Sequence, residues 1–157
     1  MEKVFLKTIH EHQDLIYKIC RMYRDTKEDQ QDLFQEIVFQ LWKAFPHFRG
    51  EAKITTWMYR IALNTAILEF RKSKPPISYS DQLPDQLSVS GRAEELDQEE
   101  QMYQLLKCLD ISERAILTLY LEEYSYKEIA DITGISENYV GVKINRIKEK
   151  LKSLSNK

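Results

Sequence analysis

Glycine, proline and cysteine are scarce in this chain, and long apolar runs are missing from it. Its 157 residues include four glycines, four prolines and two cysteines. So few turn-forming residues disfavour a sheet protein with many tight turns. Cys20 and Cys108 lie within apolar helical patterns with no second thiol close in sequence, so we expect reduced core residues of a cytosolic protein. No run approaches the roughly 18 apolar residues of a membrane-spanning helix, and the N-terminus lacks a signal-peptide pattern. We therefore expect a cytoplasmic protein without membrane insertion.

The apolar residues, 43% of the chain, recur at three- and four-residue spacing, which predicts an all-α fold. Three prolines and one glycine fall among Ser and Asp between Ser73 and Gly91, which predicts a flexible linker at residues 75–92. Two small helical domains, residues 1–74 and 93–157, flank this linker. The predicted helices span about residues 2–24, 28–45 and 53–73 in the three-helix first domain, and 93–109, 112–123, 126–132 and 136–154 in the four-helix second.

Charge is unevenly distributed along the chain. The formal net charge is −2 and the isoelectric point is near 6.0. Residues 92–102 carry five carboxylates against Arg92, whereas residues 141–157 carry six Lys or Arg against Glu149. Local charge therefore indicates the partner better than net charge does.

Histidine and acidic residues form no catalytic or metal-binding pattern. His10 and His12 are two residues apart and do not share a helix face. The carboxylates Asp29, Asp32 and Glu36 have no matching group of ligands elsewhere, so a solvated acidic stripe is favoured over a metal site. We expect no catalytic residue, no metal and no cofactor, and an enzyme is the least favoured hypothesis.

The C-terminal half contains the pattern of a helix-turn-helix. Ser125 and Glu128 form a capping box, Ala130 provides a small side chain at the helix crossing, and Gly134 suits a turn with positive φ. We also expect Ser112, Ser125 and Ser136 to cap helix N-termini. An ordinary helical hairpin is the alternative.

The final helix is amphipathic. Val140, Ile144, Ile147, Leu151 and Leu154 form its apolar stripe. Residues near the N-terminus of such a helix contact base edges, and basic residues contact phosphates. The candidate DNA-binding residues are Ser136, Glu137, Asn138, Tyr139, Val142, Lys143 and Arg146. For Lys148, Lys150 and Lys152, phosphate contact and a solvated surface remain equal alternatives.

The predicted second helix has a large aromatic residue on its polar side. Phe39 lies opposite the apolar positions Leu33, Phe34, Ile37, Val38, Leu41 and Phe45. An aromatic side chain in a polar stripe indicates a docking surface for a protein partner. This surface comprises Asp32, Gln35, Glu36, Phe39, Gln40 and Lys43. The alternative is that another helix of the domain covers Phe39.

The predicted third helix and its preceding loop interleave basic with aromatic residues. The basic positions are Lys53, Arg60, Arg71, Lys72 and Lys74, and the aromatic positions are Trp57, Tyr59 and Phe70. Cations hold a nucleic-acid backbone, and aromatic rings stack on bases released from a duplex. This combination predicts a single-strand-binding surface, although Trp57 is equally compatible with the core.

The order of these motifs resembles the extracytoplasmic-function sigma factors of bacterial RNA polymerase. The segment Asp32–Trp42 is similar to the polymerase-binding helix of that family, and Phe48–Asn64 is similar to its promoter-melting segment. Ser125–Ala130 with Gly134–Ser136 completes the pattern. The chain departs from it at Tyr124, where the family often has Gly, and at Gly141, where it often has Lys.

The resemblance implies a transcription initiation factor whose two domains divide the work. The helix around Phe39 would bind the clamp helices of the largest polymerase subunit, and the second domain would read the minus-35 element beside the flap of the second-largest subunit. The minus-10 element would contact His47, Phe48, Arg49, Lys53, Thr56, Trp57, Tyr59, Arg60 and Asn64. The resemblance also implies an anti-sigma factor as a partner. A duplex-binding repressor or activator is the alternative, but it leaves the basic and aromatic third helix unexplained.

Overall fold

The computed structural model describes residues 1–73 and 98–155, and the chain divides into two units, Met1–Ser73 and Lys74–Lys157. Every regular element in the described residues is helical, which confirms the all-α class. The first unit contains α1 (Glu2–Glu11), α2 (Gln13–Tyr23), α3 (Lys27–Ala44), a 3-10 turn (Phe45–His47) and α4 (Ile54–Ser73), and the second contains α5 (Gln98–Leu106), α6 (Ile111–Leu121), α7 (Tyr126–Thr133) and α8 (Glu137–Ser155). Three predictions fall outside the described residues. They are the linker at residues 75–92, the basic position Lys74 and the helix start at residue 93.

The single first helix predicted over residues 2–24 is wrong, because the chain breaks at His12. There φ is −120° and ψ is 20°, and the His12 N–H donates to the carbonyl oxygens of Thr8 and Ile9. The two helices bury different faces. Phe5 is the buried residue of α1 and contacts the rings of Trp42 and Phe45, whereas α2 packs on α3 and α4.

The core of the first unit lies between α2, α3 and α4. Its buried side chains are Ile16, Ile19, Cys20, Met22, Leu33, Ile37, Leu41, Met58, Ala62, Leu63 and Ala66. The N-terminus of α3 is capped by Thr26, whose hydroxyl oxygen accepts from the Asp29 N–H at 3.1 Å. The 3-10 turn that contains Pro46 ends α3, and Gly50 has a φ of +74° in the loop before α4.

The cap predicted at Ser112 is wrong, because α6 begins earlier and Ser112 lies inside it. Asp110 is the cap: its carboxylate accepts from the Glu113 N–H at 2.8 Å, and Glu113 Oε1 accepts from the Asp110 N–H at 3.0 Å. The capping box of Ser125 and Glu128 is confirmed, with bonds of 2.9 and 3.1 Å. The cap at Ser136 is also confirmed, since its hydroxyl oxygen accepts from the Tyr139 N–H at 3.2 Å.

Helices α7 and α8 form the predicted helix-turn-helix. Gly134 ends α7 with a φ of +84°, a conformation that glycine adopts without steric cost. Ile129, Ile132, Val140 and Ile144 are buried between the helices and against α6. This arrangement leaves the opposite side of α8 exposed.

Two charged residues of α6 are buried in the second unit. Arg114 donates from Nε to the Leu109 carbonyl oxygen at 3.0 Å and from Nη2 to that of Lys107 at 3.3 Å. Lys150 of α8 donates to Glu113 Oε1 at 2.8 Å. Buried charges need partners. The Arg114 bonds therefore hold the loop before α6 in place, and the bond between Lys150 and Glu113 joins α8 to α6.

Candidate functional site

The six residues predicted to bind a protein partner share one side of α3. Phe39 is 52% exposed, so the alternative that another helix of the first unit covers it is wrong. Gln40 Nε2 donates to Glu36 Oε1 at 3.0 Å, and Lys43 Nζ lies 5.4 Å from the centroid of the Phe39 ring. Asp32 and Gln35 are exposed beside them.

An apolar groove between α1 and α3 continues from Phe39. It encloses about 590 Å³ and is lined by Glu2, Phe5, Leu6, Phe34, Gln35, Val38, Phe39 and Trp42. Phe34 and Val38, predicted as core, are only half-buried, because their side of α3 faces this groove. The groove was not predicted, since it depends on α1 being a separate helix. The adjacent apolar residues Phe5 and Leu6, which line the groove, were the feature of the sequence that could have indicated it.

Acidic residues of α3 meet Arg24 and α4 in a smaller pocket of about 320 Å³. Asp29, Asp32 and Glu36 line it together with Glu69, whose carbonyl oxygen accepts from Arg24 Nη2 at 3.3 Å. Within residues 1–73 and 98–155, no group of His, Cys, Asp and Glu is arranged to hold a metal ion.

Part of the predicted minus-10 surface is exposed on α4 and the loop before it. His47, Arg49, Lys53, Arg60 and Asn64 are exposed. Arg60 and Asn64 lie on one side of α4, since residues four apart share a helix face, and Lys53 immediately precedes that helix.

The same segment carries two partly accessible aromatic rings. Phe48 and Trp57 are half-buried with their ring centroids 5.0 Å apart, and Trp57 also lies 6.1 Å from Phe45. Trp57 therefore belongs to an aromatic cluster and still has part of its surface accessible.

Two residues of the predicted minus-10 surface point into the first unit instead. Tyr59 is 4% exposed and Thr56 is 9% exposed, so the prediction that they lie along a separated strand is wrong. They lie on the side of α4 that carries Met58 and Leu63 into the core. Phe70 also packs inward, with its ring centroid 6.0 Å from that of Tyr23. The sequence interpretation treated the aromatic residues of this helix as one group. Their positions around the helix decide which of them are buried and which are accessible.

The predicted minus-35 residues lie at the N-terminus and on the accessible sides of α8. Ser136, Glu137, Asn138, Tyr139, Val142 and Arg146 are exposed, and Lys143 is half-buried. Lys143 Nζ lies 5.6 Å from the centroid of the Tyr139 ring. The buried Val140, Ile144 and Ile147 fix which side of α8 is presented.

The three lysines farther along α8 differ in their surroundings. Lys150 bonds to Glu113, whereas Lys148 Nζ lies 4.9 Å from the centroid of the Tyr120 ring. Hydrogen bonding to Tyr120 raises the pKa of Lys148 above its ordinary value of 10.5. Lys152 is exposed.

The structure describes the surroundings of the two positions at which the chain departs from the sigma-factor pattern. At Gly141, an added Cβ would lie 3.3 Å from Tyr126 Cε2, so the Tyr126 ring packs closely against this position. The glycine-like backbone conformation lies at Glu123, where φ is +69°, and not at Tyr124.

Two family models match the chain in the order of its units. The model described as Sigma-70 region 2 matches residues 8–75, and the model described as Sigma-70, region 4 matches residues 99–151. The RNA polymerase sigma factor YlaC of Bacillus subtilis is 32% identical over 137 residues, which cover 80% of this chain and 76% of YlaC. The chain belongs to the extracytoplasmic-function sigma factors. The ECF RNA polymerase sigma factor SigW of the same organism is 26% identical over 165 residues, covering 96% of this chain and 88% of SigW.

Solved structures share the fold of this sigma factor. CnrH, solved in complex with the cytosolic domain of CnrY, aligns with a TM-score of 0.71 at 20% identity, covering 99% of this chain and 90% of CnrH. The sigma factor RpoE, solved with the anti-sigma factor NepR from Bartonella quintana, aligns with a TM-score of 0.72 at 14% identity and covers 98% of both chains.

Family membership gives this sigma factor its function. It is a transcription initiation factor that binds core RNA polymerase and directs it to promoters. In the part of the chain that the structure describes, no helix is both long and apolar enough to cross a membrane.

Proposed function

We propose that this sigma factor binds core polymerase through α3, opens the minus-10 element with α4 and its preceding loop, and reads the minus-35 element with α8. It acts in the cytoplasm and performs no catalysis of its own. The observation that carries the proposal is the exposed Phe39 among polar side chains on α3. The competing explanation for Phe39 was that another helix of its own unit covers it. The exposure of Phe39 in the folded unit argues against that explanation.

The chemistry of α3 suits a protein partner. A half-exposed aromatic ring gains free energy when an interface removes it from water, and the polar groups around it supply orientation. The partner is the clamp helices of the largest polymerase subunit, and Asp32 and Lys43 supply charges of both signs at its edge. We further propose that the second unit contacts the flap of the second-largest subunit.

The surface of α4 suits a separated strand. Arg49, Lys53 and Arg60 are exposed cations that attract the backbone, and the paired rings of Phe48 and Trp57 belong to the same segment of the chain. A base released from the duplex stacks on such a ring with about 1–3 kcal/mol. Because Tyr59 is buried, base stacking falls to Phe48 and Trp57 alone.

The exposed side of α8 suits the major groove. Asn138 can bond two atoms of an adenine edge, Val142 can contact a thymine methyl group, and Arg146 can contact a guanine or a phosphate. All three are exposed on the helix that follows the turn at Gly134. A recognition helix with Asn138 near its N-terminus and Arg146 farther along the exposed side is consistent with the docking of other helix-turn-helix proteins.

We also propose an anti-sigma factor as a regulatory partner. The structural neighbour RpoE was solved with the anti-sigma factor NepR, and it shares the fold of this chain. A protein that covers Phe39 and the groove between α1 and α3 would block access to the polymerase.

The test is co-purification of the tagged full chain with a bacterial core RNA polymerase. Wild type should be retained, and Asp32→Ala/Phe39→Ala should be retained at least about 10-fold less, since interface hot spots cost 2 kcal/mol or more. Val4→Ala is the matched control, because Val4 is an apolar residue of α1 that is 58% exposed and does not line the groove. Absence of binding by folded wild type would favour a repressor instead.

A further inference from the structure

Two lysine and tyrosine pairs border the outward side of α8. We define the reading face as the exposed residues on that side, Asn138, Val142, Asn145, Arg146 and Glu149. On one edge of this face, Lys143 Nζ lies 5.6 Å from the Tyr139 ring centroid. On the other edge, Lys148 Nζ lies 4.9 Å from the ring centroid of Tyr120, which comes from α6.

Helix periodicity places the two pairs on opposite edges. Lys143 follows Tyr139 by four residues, so both lie on the same side of α8. Lys148 follows Gly141 by seven residues and shares its side, against which the Tyr126 ring packs. The reading face lies between these edges, because Val140, Ile144 and Ile147 occupy the buried side.

Both lysines keep their charge available for a partner. Among the described residues, neither Lys143 nor Lys148 has a carboxylate partner. Lys150, two residues after Lys148, is bonded to Glu113 at 2.8 Å. Nothing in the sequence favoured either Lys148 or Lys150 for phosphate contact. The structure separates them, because of these two only Lys150 is paired with a carboxylate in the described part of the chain.

The rings orient the lysine side chains before any ligand arrives. An ammonium group over an aromatic face is attracted by the ring quadrupole, which limits the conformations of a flexible four-carbon stem. The Tyr126 ring centroid lies 6.4 Å from that of Tyr120. Gly141 leaves room for this ring, since a Cβ there would lie only 3.3 Å from Tyr126 Cε2. A preordered lysine loses less entropy when it binds.

We propose that Lys143 and Lys148 form a phosphate clamp, in which each ammonium contacts the backbone of a different DNA strand along the major groove. The inference rests on the proposed function of α8 as the reader of the minus-35 element. A helix in the major groove, about 12 Å wide, has one sugar-phosphate backbone on each side. The two edges of the reading face then meet opposite strands.

The first test is the salt dependence of binding between holoenzyme and an upstream promoter duplex selected from a randomised library. Each phosphate contact contributes about 0.9 to the slope of log K against log salt. We expect Lys143→Gln and Lys148→Gln each to reduce the slope by about 0.9, and the double variant by about twice that. Lys150→Gln is the matched control and should leave the slope unchanged. An unchanged slope for Lys148→Gln would overturn the clamp.

The second test assigns each lysine to a strand. Methylphosphonate groups, which are uncharged, replace single phosphates on either strand of the same duplex. We expect the Lys143→Gln holoenzyme to lose sensitivity to a replacement on one strand, and the Lys148→Gln holoenzyme on the other. Loss of sensitivity on a single strand for both variants would overturn the clamp.

The outcomes separate this inference from the proposed function. If wild-type holoenzyme selects no upstream sequence at all, α8 does not read the minus-35 element and both proposals are wrong. If wild type selects a sequence but the lysine variants keep its slope, only the clamp is wrong.

Discussion

At the scale of single residues, Glu123 occupies a backbone conformation that suits glycine. Its φ of +69° costs a residue with a Cβ about 1–2 kcal/mol. We expect Glu123→Gly to raise the free energy of unfolding by about 1 kcal/mol, because this strain exceeds the entropy cost of glycine. Urea denaturation measures the change. Glu122→Gly, at a φ of −83°, is the control and should not stabilise the protein.

Gly134 gives the converse prediction. Its φ is +84°, and no atom lies within 4 Å of the position a Cβ would take. Gly134→Ala should therefore lower the free energy of unfolding by about 1–2 kcal/mol through backbone strain alone. The thermal unfolding midpoint checks this. An unchanged midpoint would mean that the turn relaxes without penalty.

Cys20 makes stability depend on alkaline pH. Burial raises the pKa of its thiol from 9.0 to about 12, and the charge of Arg24 opposes this shift. The unfolded thiol ionises at lower pH than the folded one, so stability is complete below pH 9.0 and falls as the pH rises toward 12. We expect the unfolding free energy of wild type to fall by at most about 1.4 kcal/mol per pH unit more than that of Cys20→Ala. Parallel slopes for the two proteins would contradict this.

At the scale of elements, two substitutions distinguish Asp110 from Ser112 as the N-terminal cap of α6. Asp110→Ala should cost about 1 kcal/mol, because it leaves the Glu113 N–H without its capping oxygen. Ser112→Ala should change the free energy of unfolding by a few tenths at most, since Ser112 lies within the helix. Denaturant midpoints distinguish the two. A larger loss for Ser112→Ala would restore the cap predicted from sequence.

The elements also show what the sequence could predict. Ser125 and Ser136 were assigned as caps correctly, because each follows a clear break in the apolar pattern. The pattern around Asp110 and Ser112 contains two good capping residues, and only the backbone decides between them. The break at His12 follows from tertiary packing, because Phe5 packs against Trp42 and Phe45, at the C-terminal end of α3 and just after it, while α2 packs on α3 and also on α4.

The candidate site was predictable where one side of a helix is mostly polar. Phe39 and Arg146 were placed correctly on exposed surfaces, because most of their neighbours at helical spacing are polar. Tyr59 was misplaced, because a tyrosine suits both a nucleic-acid surface and a core. The packing of Tyr126 on Gly141 joins two helices, which no pattern within one helix reveals.

At the scale of the whole molecule, promoter binding should depend on the polymerase. The reading face of α8 is short, and helix-turn-helix proteins that bind alone usually double their contacts by dimerising. Here core polymerase supplies the further DNA contacts. We expect the full chain alone to bind a selected promoter duplex at least about 100-fold more weakly than the holoenzyme, the lower range of gains from linked binding sites.

Fluorescence anisotropy with a labelled promoter duplex measures this difference, and Phe39→Ala separates its origins. Phe39 lies on α3 in the first unit and not on the reading face, so the variant chain alone should bind DNA as wild type does. Mixed with core polymerase, the same variant should lose most of the gain, because it no longer joins the enzyme that supplies the other contacts. Tight sequence-specific binding by the free wild-type chain would contradict this dependence, since the second unit would then suffice as a repressor does.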